Sequence, residues 1–394
     1  MSSFMQRQFV PYAILCRLGG CFYIQNFRKP LENAEVTWKT LYTVYSALIV
    51  SFFFAFEMSS IIKISFVFRD LSRAFTASLM LLLRCMLCLK ILVNTATMAT
   101  GSSRLLEFFE KSSTYETISG FSPASRGVRG LWRHRWSFFC RSLVVLGVIS
   151  TYVMLTMYFT VSLMKLLPAN LRFLGIPSGV LFGVNYILYD ALPYMVLRSC
   201  SAVLVDYLQA QLKSFESCCK SRSARCDRQL PRQLEVIRYN LGVIRDLKDS
   251  FNAIWHVPLA AMSAGLILLV CVVWYAIFYE GLFAPQITLS ASYCLYSSFA
   301  FIDMACVSQA LTDEAQKLKN VTKIAFTFEV TDGYTQQLRY LHETIDPDDM
   351  CLSGGGFFRL NKSLLVSMAG TMITYTVIIS QTSDGLTNNA TPTN

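Results

Sequence analysis

The sequence predicts an all-α, polytopic membrane protein with seven transmembrane helices. Of its 394 residues, 54% are hydrophobic and only 15% are charged, whereas soluble domains carry about 25% charged residues. Stretches of predominantly apolar residues, each long enough to cross a bilayer as a helix, recur along the chain. These stretches are 41–62, 75–97, 138–163, 184–205, 258–282, 287–310 and 360–382.

The connections between these stretches differ in their content of Lys and Arg. Segments 1–40, 98–137, 206–257 and 311–359 hold 25 of these residues, and the alternate connections hold five. Because loops rich in Lys and Arg stay in the cytoplasm, the sequence predicts a cytoplasmic amino terminus and an extracellular carboxyl terminus. A G-protein-coupled receptor has the reverse orientation and is kept as an alternative, as are a transporter-like protein and an obligate co-subunit. The same bias accounts for the net charge of +10, so no nucleic-acid partner is expected.

This orientation divides the chain into cytoplasmic, membrane and extracellular parts. They are a cytoplasmic amino-terminal segment (1–40), helices one to four (41–205), a cytoplasmic helical loop (206–257), helices five and six (258–310), cytoplasmic helices with a Gly-rich break (311–359), a last helix (360–382) and an extracellular tail (383–394). The extracellular connections are short, so a ligand has to enter between the helices.

A long amphipathic helix is expected in the cytoplasmic part. Apolar residues recur every three or four positions between Leu230 and Ile254, which predicts one helix over 229–255 with a single apolar stripe. We interpret it as part of a helical bundle beneath the membrane, together with a short helix over 336–345. The alternative is a surface helix that lies on the inner leaflet.

Charged residues inside the apolar stretches usually face the bundle interior or a cavity. Arg198 and Asp303 predict an internal ion pair, whereas Asp190, in the outer half of its helix, has only Arg84 as a cation at its depth. Several tyrosines of the third, fourth and sixth stretches lie at a similar outer depth to Asp190: Tyr152, Tyr158, Tyr186, Tyr189, Tyr194, Tyr293 and Tyr296. Together with Asp190 they predict a pocket for a small polar or amphipathic molecule. The alternative is a belt of aromatic residues at the membrane interface.

The sequence predicts no enzyme, metal site or cofactor. Its three histidines are widely separated, and the glycines at 354–356 lack the Lys-Ser/Thr of a phosphate loop. We interpret them as a flexible break before the last helix. Cys85 and Cys88 have a redox or zinc spacing, but they lie inside a membrane helix and are predicted to be packing residues. Asn389, in an Asn-Ala-Thr sequence, is expected to be glycosylated in the extracellular tail.

The last apolar stretch is unusually rich in polar residues. Thr374 and Gln381 are seven residues apart and so lie on one face of a helix, with Gly370 and Val377 on or near the same stripe. A small, polar face suits either tight helix packing or the wall of a pore. A pore with one such helix per chain needs several chains around an axis.

The end of this stretch resembles the carboxyl-terminal signature of the insect gustatory receptor family, within the insect chemoreceptor superfamily. The family pattern is Thr-Tyr, five mostly apolar residues, and then Gln-Phe. This chain has Thr374-Tyr375, the five residues 376–380, Gln381 and then Thr382. Residues further upstream are also similar to the family's entry into its last helix: Gly356-Phe357-Phe358, Leu360 and Ser363-Leu364-Leu365.

The resemblance implies a tetrameric, ligand-gated channel for Na, K and Ca ions in the plasma membrane of chemosensory neurons. The assembly is a homotetramer or a heterotetramer with related receptors, surrounded by membrane lipid. Each subunit contributes its last helix to the pore, and the cytoplasmic ends of the later helices form an anchor domain. A pocket among helices two to six takes a small-molecule tastant, such as a sugar or a bitter compound.

The resemblance also implies a gate at Gln381 and the residue that follows it. Phe is the family residue at that next position, and this chain has Thr382 instead. A threonine is smaller and more polar than a Phe plug, so closure is expected to rely on Gln381, Ile378 or Val377.

Overall fold

A computed structural model gives the fold of the chain. It describes residues 3–36, 38, 40–67, 74–121, 131–166, 168–220, 230–275, 284–326 and 332–389. The carboxyl-terminal part of the fifth predicted apolar stretch, 276–282, lies outside these residues.

The described residues are almost entirely helical. The α-helices are α1 (Phe4–Leu18), α2 (Leu41–Val67), α3 (Ala74–Ser119), α4 (Leu131–Leu166), α5 (Gly175–Lys220), α6 (Leu230–Tyr275), α7 (Ala284–Ala325), α8 (Asp332–Thr344) and α9 (Lys362–Asn389). Two short antiparallel pairs of strands accompany them: β1 (Ile24–Gln25) with β2 (Glu35–Val36), and β3 (Ser353–Gly354) with β4 (Phe358–Arg359). Short 3₁₀ helices occur at Leu31–Asn33, Ala169–Leu174 and Asp348–Met350.

Seven of the helices among the described residues are long and apolar enough to cross a membrane, which confirms the predicted fold class. Several are much longer than the predicted spans. α3, α5 and α6 have 46 residues each, so each is about 69 Å long, whereas the apolar core of a bilayer is about 30 Å thick. The part that exceeds the bilayer forms a second layer of the molecule. α9 likewise extends to Asn389 instead of ending near residue 382.

Close helix packing in the membrane layer depends on small residues. α4 packs mainly against α7 and α5. A Cβ atom at Gly147 of α4 would lie 3.0 Å from the backbone nitrogen of Tyr296 on α7. Gly179 of α5 likewise meets the backbone of Thr160 on α4. Apolar side chains gain little from leaving lipid, so close backbone approach is what favours helix association there.

The predicted 229–255 helix forms the first part of α6, and its apolar stripe is buried. Leu234, Ile244 and Phe251 are all buried, and the helix continues through Pro258 into the membrane layer. The stripe packs against α3, α5 and α8. The short helix expected over 336–345 is confirmed as α8. A stripe buried in this way favours the predicted helical bundle over a surface helix.

The amino-terminal helix α1 was not predicted, because 1–40 reads as polar and contains Pro11. Its apolar face is nonetheless fully buried. The ring of Phe9 lies 5.1 Å from that of Phe109 on α3 and 6.0 Å from that of Phe22, measured between centroids. α1 therefore packs along α3 and α5.

Glu116 of α3 holds the first turn of α1. Its carboxylate accepts hydrogen bonds from the backbone N–H groups of Phe4 (2.5 Å) and Met5 (2.9 Å), and from the hydroxyl of Tyr207 on α5 (2.5 Å). The first N–H groups of a helix have no partner within the helix, and a negative charge beside them is favourable. One side chain thus joins three helices.

Replacing Glu116 with alanine is expected to lower the stability of the amino-terminal part by about 2 kcal/mol, because the hydrogen bonds lost are made to a charged acceptor. The expected result is faster cleavage of α1 in limited proteolysis of the purified protein. Glu110→Ala, an exposed change on the same helix, is the matched control and should leave the cleavage rate unchanged. Equal rates for the two variants would contradict the role given to Glu116.

Candidate functional site

A buried ion pair joins α3 and α5 in the membrane layer. Lys90 Nζ lies 2.6 Å from Asp190 Oδ1, and the two side chains are only 6% and 1% exposed. The hydroxyl of Tyr293 on α7 donates to the same carboxylate oxygen at 2.8 Å. The Lys90 ammonium also lies 5.9 Å from the centroid of the Tyr293 ring. Charges so far from water have to be paired and hydrogen-bonded, and here three helices supply the partners.

Buried tyrosine rings surround this pair. The ring of Tyr293 lies 6.3 Å from that of Tyr186 on α5 and 6.0 Å from that of Tyr296 on α7. All three rings are buried. We call Lys90, Tyr186, Asp190, Tyr293 and Tyr296 the Lys90–Asp190 cluster. It combines two charges, three hydroxyl groups and aromatic surface, which suits a small molecule with polar groups.

The structure brings together only part of the residue set predicted from the sequence. Tyr152 packs against α5, where a Cβ at Gly183 would lie 3.4 Å from its ring, and Tyr158 is exposed. Tyr189 points elsewhere and donates to the carbonyl of Gly19 at 2.8 Å. Tyr194 also turns away, towards Asp303.

The prediction of Arg84 as the cation beside Asp190 was wrong. Arg84 pairs instead with Glu57 of α2, at 2.8 Å between Nε and Oε2, and Lys90 is the partner of Asp190. Lys90 and Arg84 are six residues apart on α3, so they project about 120° apart around the helix. The sequence contained a signal that favours Lys90: Lys90 and Asn94 are four residues apart, so the two polar side chains share one face of α3. Asn94, one turn further on, also faces α5 and donates to the carbonyl of Tyr189 at 3.0 Å.

Several buried polar atoms close to the cluster have no hydrogen-bond partner within the described ranges. They include Asn94 Oδ1 on α3 and Ser297 Oγ on α7. Asn94 and Ser297 each lie one turn from a member of the cluster. An unpaired buried polar atom is costly, so these groups favour the entry of a hydrogen-bonding molecule.

A second ion pair lies further along the same helices. Arg198 Nε of α5 is 2.9 Å from Asp303 Oδ2 of α7, which confirms the predicted pair. The hydroxyl of Tyr194 donates to the same oxygen at 3.1 Å. This fully partnered group connects α5 and α7.

The last helix, α9, is the least covered of the candidate spans. Only 6% of its apolar window is buried, compared with 67% for α5. Thr374, Val377, Ile378, Gln381 and Thr382 are all exposed in a single chain. Tyr375, the second residue of the signature, is exposed as well.

The polar side chains of α9 differ in whether they find hydrogen-bond partners within their own helix. The hydroxyls of Thr374 and Thr382 donate to carbonyls of their own helix, at Gly370 (3.0 Å) and Ile378 (2.9 Å). Such bonds let a threonine face lipid. The longer amide side chain of Gln381 is exposed near the end of the helix, where lipid would not satisfy it. Gln381 thus needs water or another chain.

A β-hairpin, not a flexible break, precedes α9. β3 and β4 pair around Gly355 and Gly356, which have φ angles of +60° and +76° that favour glycine. The Gly355 N–H donates to the carbonyl of His256 on α6 at 2.9 Å, and that of Ser353 donates to Asn252 Oδ1 at 3.0 Å. The hairpin is therefore fixed to α6 immediately before the last helix begins.

Cysteines and the glycosylation sequence complete the predicted sites. The eleven cysteines whose side chains the structure describes are free thiols. Burial raises the pKa of the Cys21 thiol well above its ordinary value, so this group stays protonated. Cys88 Sγ lies 3.5 Å from Glu57 Oε2. Asn389 is the last residue of α9, and the Ala and Thr that complete its glycosylation sequence lie outside the described residues.

Comparison with known proteins identifies relatives of this architecture. A family model described as 7tm Chemosensory receptor matches residues 12–384. A search of curated proteins finds no match. The insect olfactory receptor OR5 from Machilis hrabei in complex with eugenol has a similar fold, with a TM-score of 0.70, 15% identity and coverage of 96% of this chain and 98% of that one. A second structure of OR5 from Machilis hrabei gives a TM-score of 0.67 and 16% identity, with coverage of 95% of this chain and 98% of that one.

Proposed function

Because the chain belongs to the 7tm chemosensory receptor family, we propose that it is a gustatory receptor that acts as a ligand-gated, non-selective cation channel. It opens when a small-molecule tastant binds among its membrane helices and then passes Na, K and Ca ions. Its place is the plasma membrane of chemosensory neurons, with a cytoplasmic amino terminus and an extracellular carboxyl terminus. The chemosensory receptors are not a family of enzymes, and in this proposal the signal is the current through the channel itself.

The observation that carries the channel proposal is the uncovered surface of α9. A helix that is 6% buried in one chain and carries exposed Gln381 and Thr374 suits a position at the axis of a multimer. Four copies around one axis let these side chains meet water and each other. Val377 and Ile378 then supply the apolar constriction, which resists ion passage when it lacks water. Gln381 and Thr382 form the gate.

The ligand pocket of the proposal is the Lys90–Asp190 cluster together with Tyr152. A sugar offers many hydroxyl groups, and a bitter compound often combines a ring with one polar group; both can use tyrosine rings and a charged pair. The related OR5 was solved in complex with eugenol, an aromatic molecule with a hydroxyl group. Tyr158, Tyr189 and Tyr194 are left out of this pocket, because Tyr158 is exposed and the other two donate to Gly19 and Asp303.

The cytoplasmic layer is the anchor in this proposal. It comprises the cytoplasmic parts of α5, α6 and α7 with α8. A salt bridge between Arg245 of α6 and Asp349 links the layer to the segment before α9, and a salt bridge between Asp348 and Arg359 of β4 (3.6 Å) lies within that segment. The anchor thereby fixes the inner end of each pore helix, in a homotetramer or with related receptors.

Current recording from cells that express the chain alone tests this function. The panel contains sugars, bitter compounds and eugenol, with surface protein measured in the same cells. At least one compound is expected to evoke a cation current that persists when G proteins are blocked. Surface protein that gives no current with any compound would contradict a self-sufficient channel. An accessible tag on the amino terminus of intact cells would contradict the proposed orientation.

A further inference from the structure

A cavity of about 640 Å³ lies outside the site described above, between α1, the strand β1 and the first turns of α2. Its lining combines apolar residues with three cations, Arg17, Arg28 and Lys29. Phe22 is among the apolar residues of its wall. Among the described residues of its lining, none is acidic. This composition favours an anionic molecule that also has apolar parts.

The three cations are available to a ligand. In the part of the chain that the structure describes, none of them forms an ion pair. Arg28 and Lys29 are exposed. The Arg17 guanidinium lies 5.1 Å from the centroid of the Tyr42 ring, which orients it without neutralising its charge. The cavity therefore keeps three uncompensated positive charges.

Hydrogen bonds to the end of α1 preform the cavity. The hydroxyl of Tyr42 donates to the carbonyl of Arg17 at 3.0 Å, and that of Tyr45 donates to the carbonyl of Leu18 at 2.6 Å. Both tyrosines belong to the first turns of α2. They hold α1 against the membrane helix, so the wall of the cavity exists before a ligand arrives.

The cavity opens beside apolar surface that belongs in lipid. The first candidate span begins at Leu41. Leu41 is 89% exposed, Leu18 67% and Leu48 66%. Aliphatic side chains so exposed next to a membrane helix suit acyl chains. The cations thus lie at the level where the headgroups of one leaflet end and its acyl chains begin.

We propose that this cavity binds an anionic glycerophospholipid of the leaflet at this end of the first span. Arg17, Arg28 and Lys29 hold the phosphate of the headgroup, and the acyl chains run along Leu41 and Leu48. The distribution of Lys and Arg places this end in the cytoplasmic leaflet, which is where anionic lipids concentrate. Basic pockets beside membrane helices on that side are suited to such headgroups.

Native mass spectrometry of the full-length protein in detergent tests the proposal, with phosphatidylserine and phosphatidylcholine as probes. The wild-type chain is expected to retain phosphatidylserine in preference to phosphatidylcholine. Each cation near a membrane surface contributes about fivefold to binding, so Arg28→Gln with Lys29→Gln should weaken phosphatidylserine binding roughly 25-fold. Arg104→Gln with Lys323→Gln removes two exposed cations elsewhere and is the matched control.

Three outcomes would overturn the proposal. The first is equal retention of phosphatidylserine by the two double variants. The second is equal retention of the two lipids by the wild-type chain. The third is displacement of phosphatidylserine by inorganic phosphate at comparable concentration, which would assign the cavity to a free anion. Both double variants change exposed side chains, and size-exclusion chromatography with thermal unfolding checks that their fold is intact. None of these readouts depends on channel activity.

Discussion

Replacing Asp190 with alanine is expected to destabilise the folded protein by about 3–5 kcal/mol, because it leaves the Lys90 ammonium buried without its partner. Tyr293 loses its hydrogen-bond acceptor as well. The expected result is a fall in the thermal unfolding temperature of the purified protein on the order of 10 °C. Tryptophan fluorescence in detergent measures it.

Two further variants separate the charge effect from a general effect of substitution. Lys90→Met combined with Asp190→Asn removes both charges, keeps a similar volume and leaves an acceptor for Tyr293, so most of the loss should be recovered. Glu107→Ala breaks the exposed pair between Glu107 and Lys111 and should leave the unfolding temperature unchanged. If Asp190→Ala unfolds at the wild-type temperature, the pair is not buried as described.

The neutral double variant also tests the ligand pocket, because it is expected to fold. If a tastant binds the Lys90–Asp190 cluster, the loss of charge-assisted hydrogen bonds should raise its half-maximal concentration at least about tenfold. An unchanged dose–response curve from a variant with normal surface expression would remove the cluster from the binding site and leave its role structural.

Replacing Thr382 with phenylalanine is expected to lower the basal current of the channel several-fold. In the proposed tetramer, four apolar rings at the outer end of the pore would exclude water from the closed state more effectively than four hydroxyl groups. Gln381→Ala should change the basal or the ligand-evoked conductance at least twofold, because it removes the polar ring next to this position. Whole-cell currents normalised to surface protein measure both effects.

Thr376→Ala is the matched control for these variants on the same helix. The Thr376 hydroxyl donates to the carbonyl of Met372 at 2.7 Å, a carbonyl that Cys271 Sγ of α6 also approaches at 3.7 Å. This threonine therefore lies on the side of α9 that contacts α6, and its loss should leave conductance unchanged. Currents that stay at the wild-type level in both Gln381→Ala and Thr382→Phe would refute the gate assignment.

The sequence was sufficient to predict the membrane architecture because lipid imposes a strict rule on composition. A helix that crosses a bilayer needs about 20 apolar residues whatever its tertiary contacts, so all seven candidate spans could be predicted. The pair between Arg198 and Asp303 was also predictable, since two opposite charges at one depth inside a bundle have few other partners.

Helix orientation was harder to predict than helix position. The membrane part of α3 carries Arg84 and Lys90 about 120° apart around the helix, so its pattern alone does not say which of the two faces meets α5. The choice between Arg84 and Lys90 as partner of Asp190 depends on that face. The helix α1 was missed for a different reason: the contacts that hold it are distant in the sequence, such as the bond from Phe4 to Glu116, 112 residues away.

The length of α3, α5 and α6 has a mechanical consequence. A straight helix of about 69 Å acts as a lever, and a tilt of about 3° displaces one of its ends by about 3.6 Å relative to the other. α3 and α5 carry the Lys90–Asp190 cluster in the membrane layer, and α6 holds the hairpin before α9 through the carbonyl of His256. α6 passes Lys90 at Gly265, only nine residues, or about 14 Å, from His256, so a change of packing at the cluster reaches the base of the last helix over a short distance, whereas the far ends of α3 and α5 move the most.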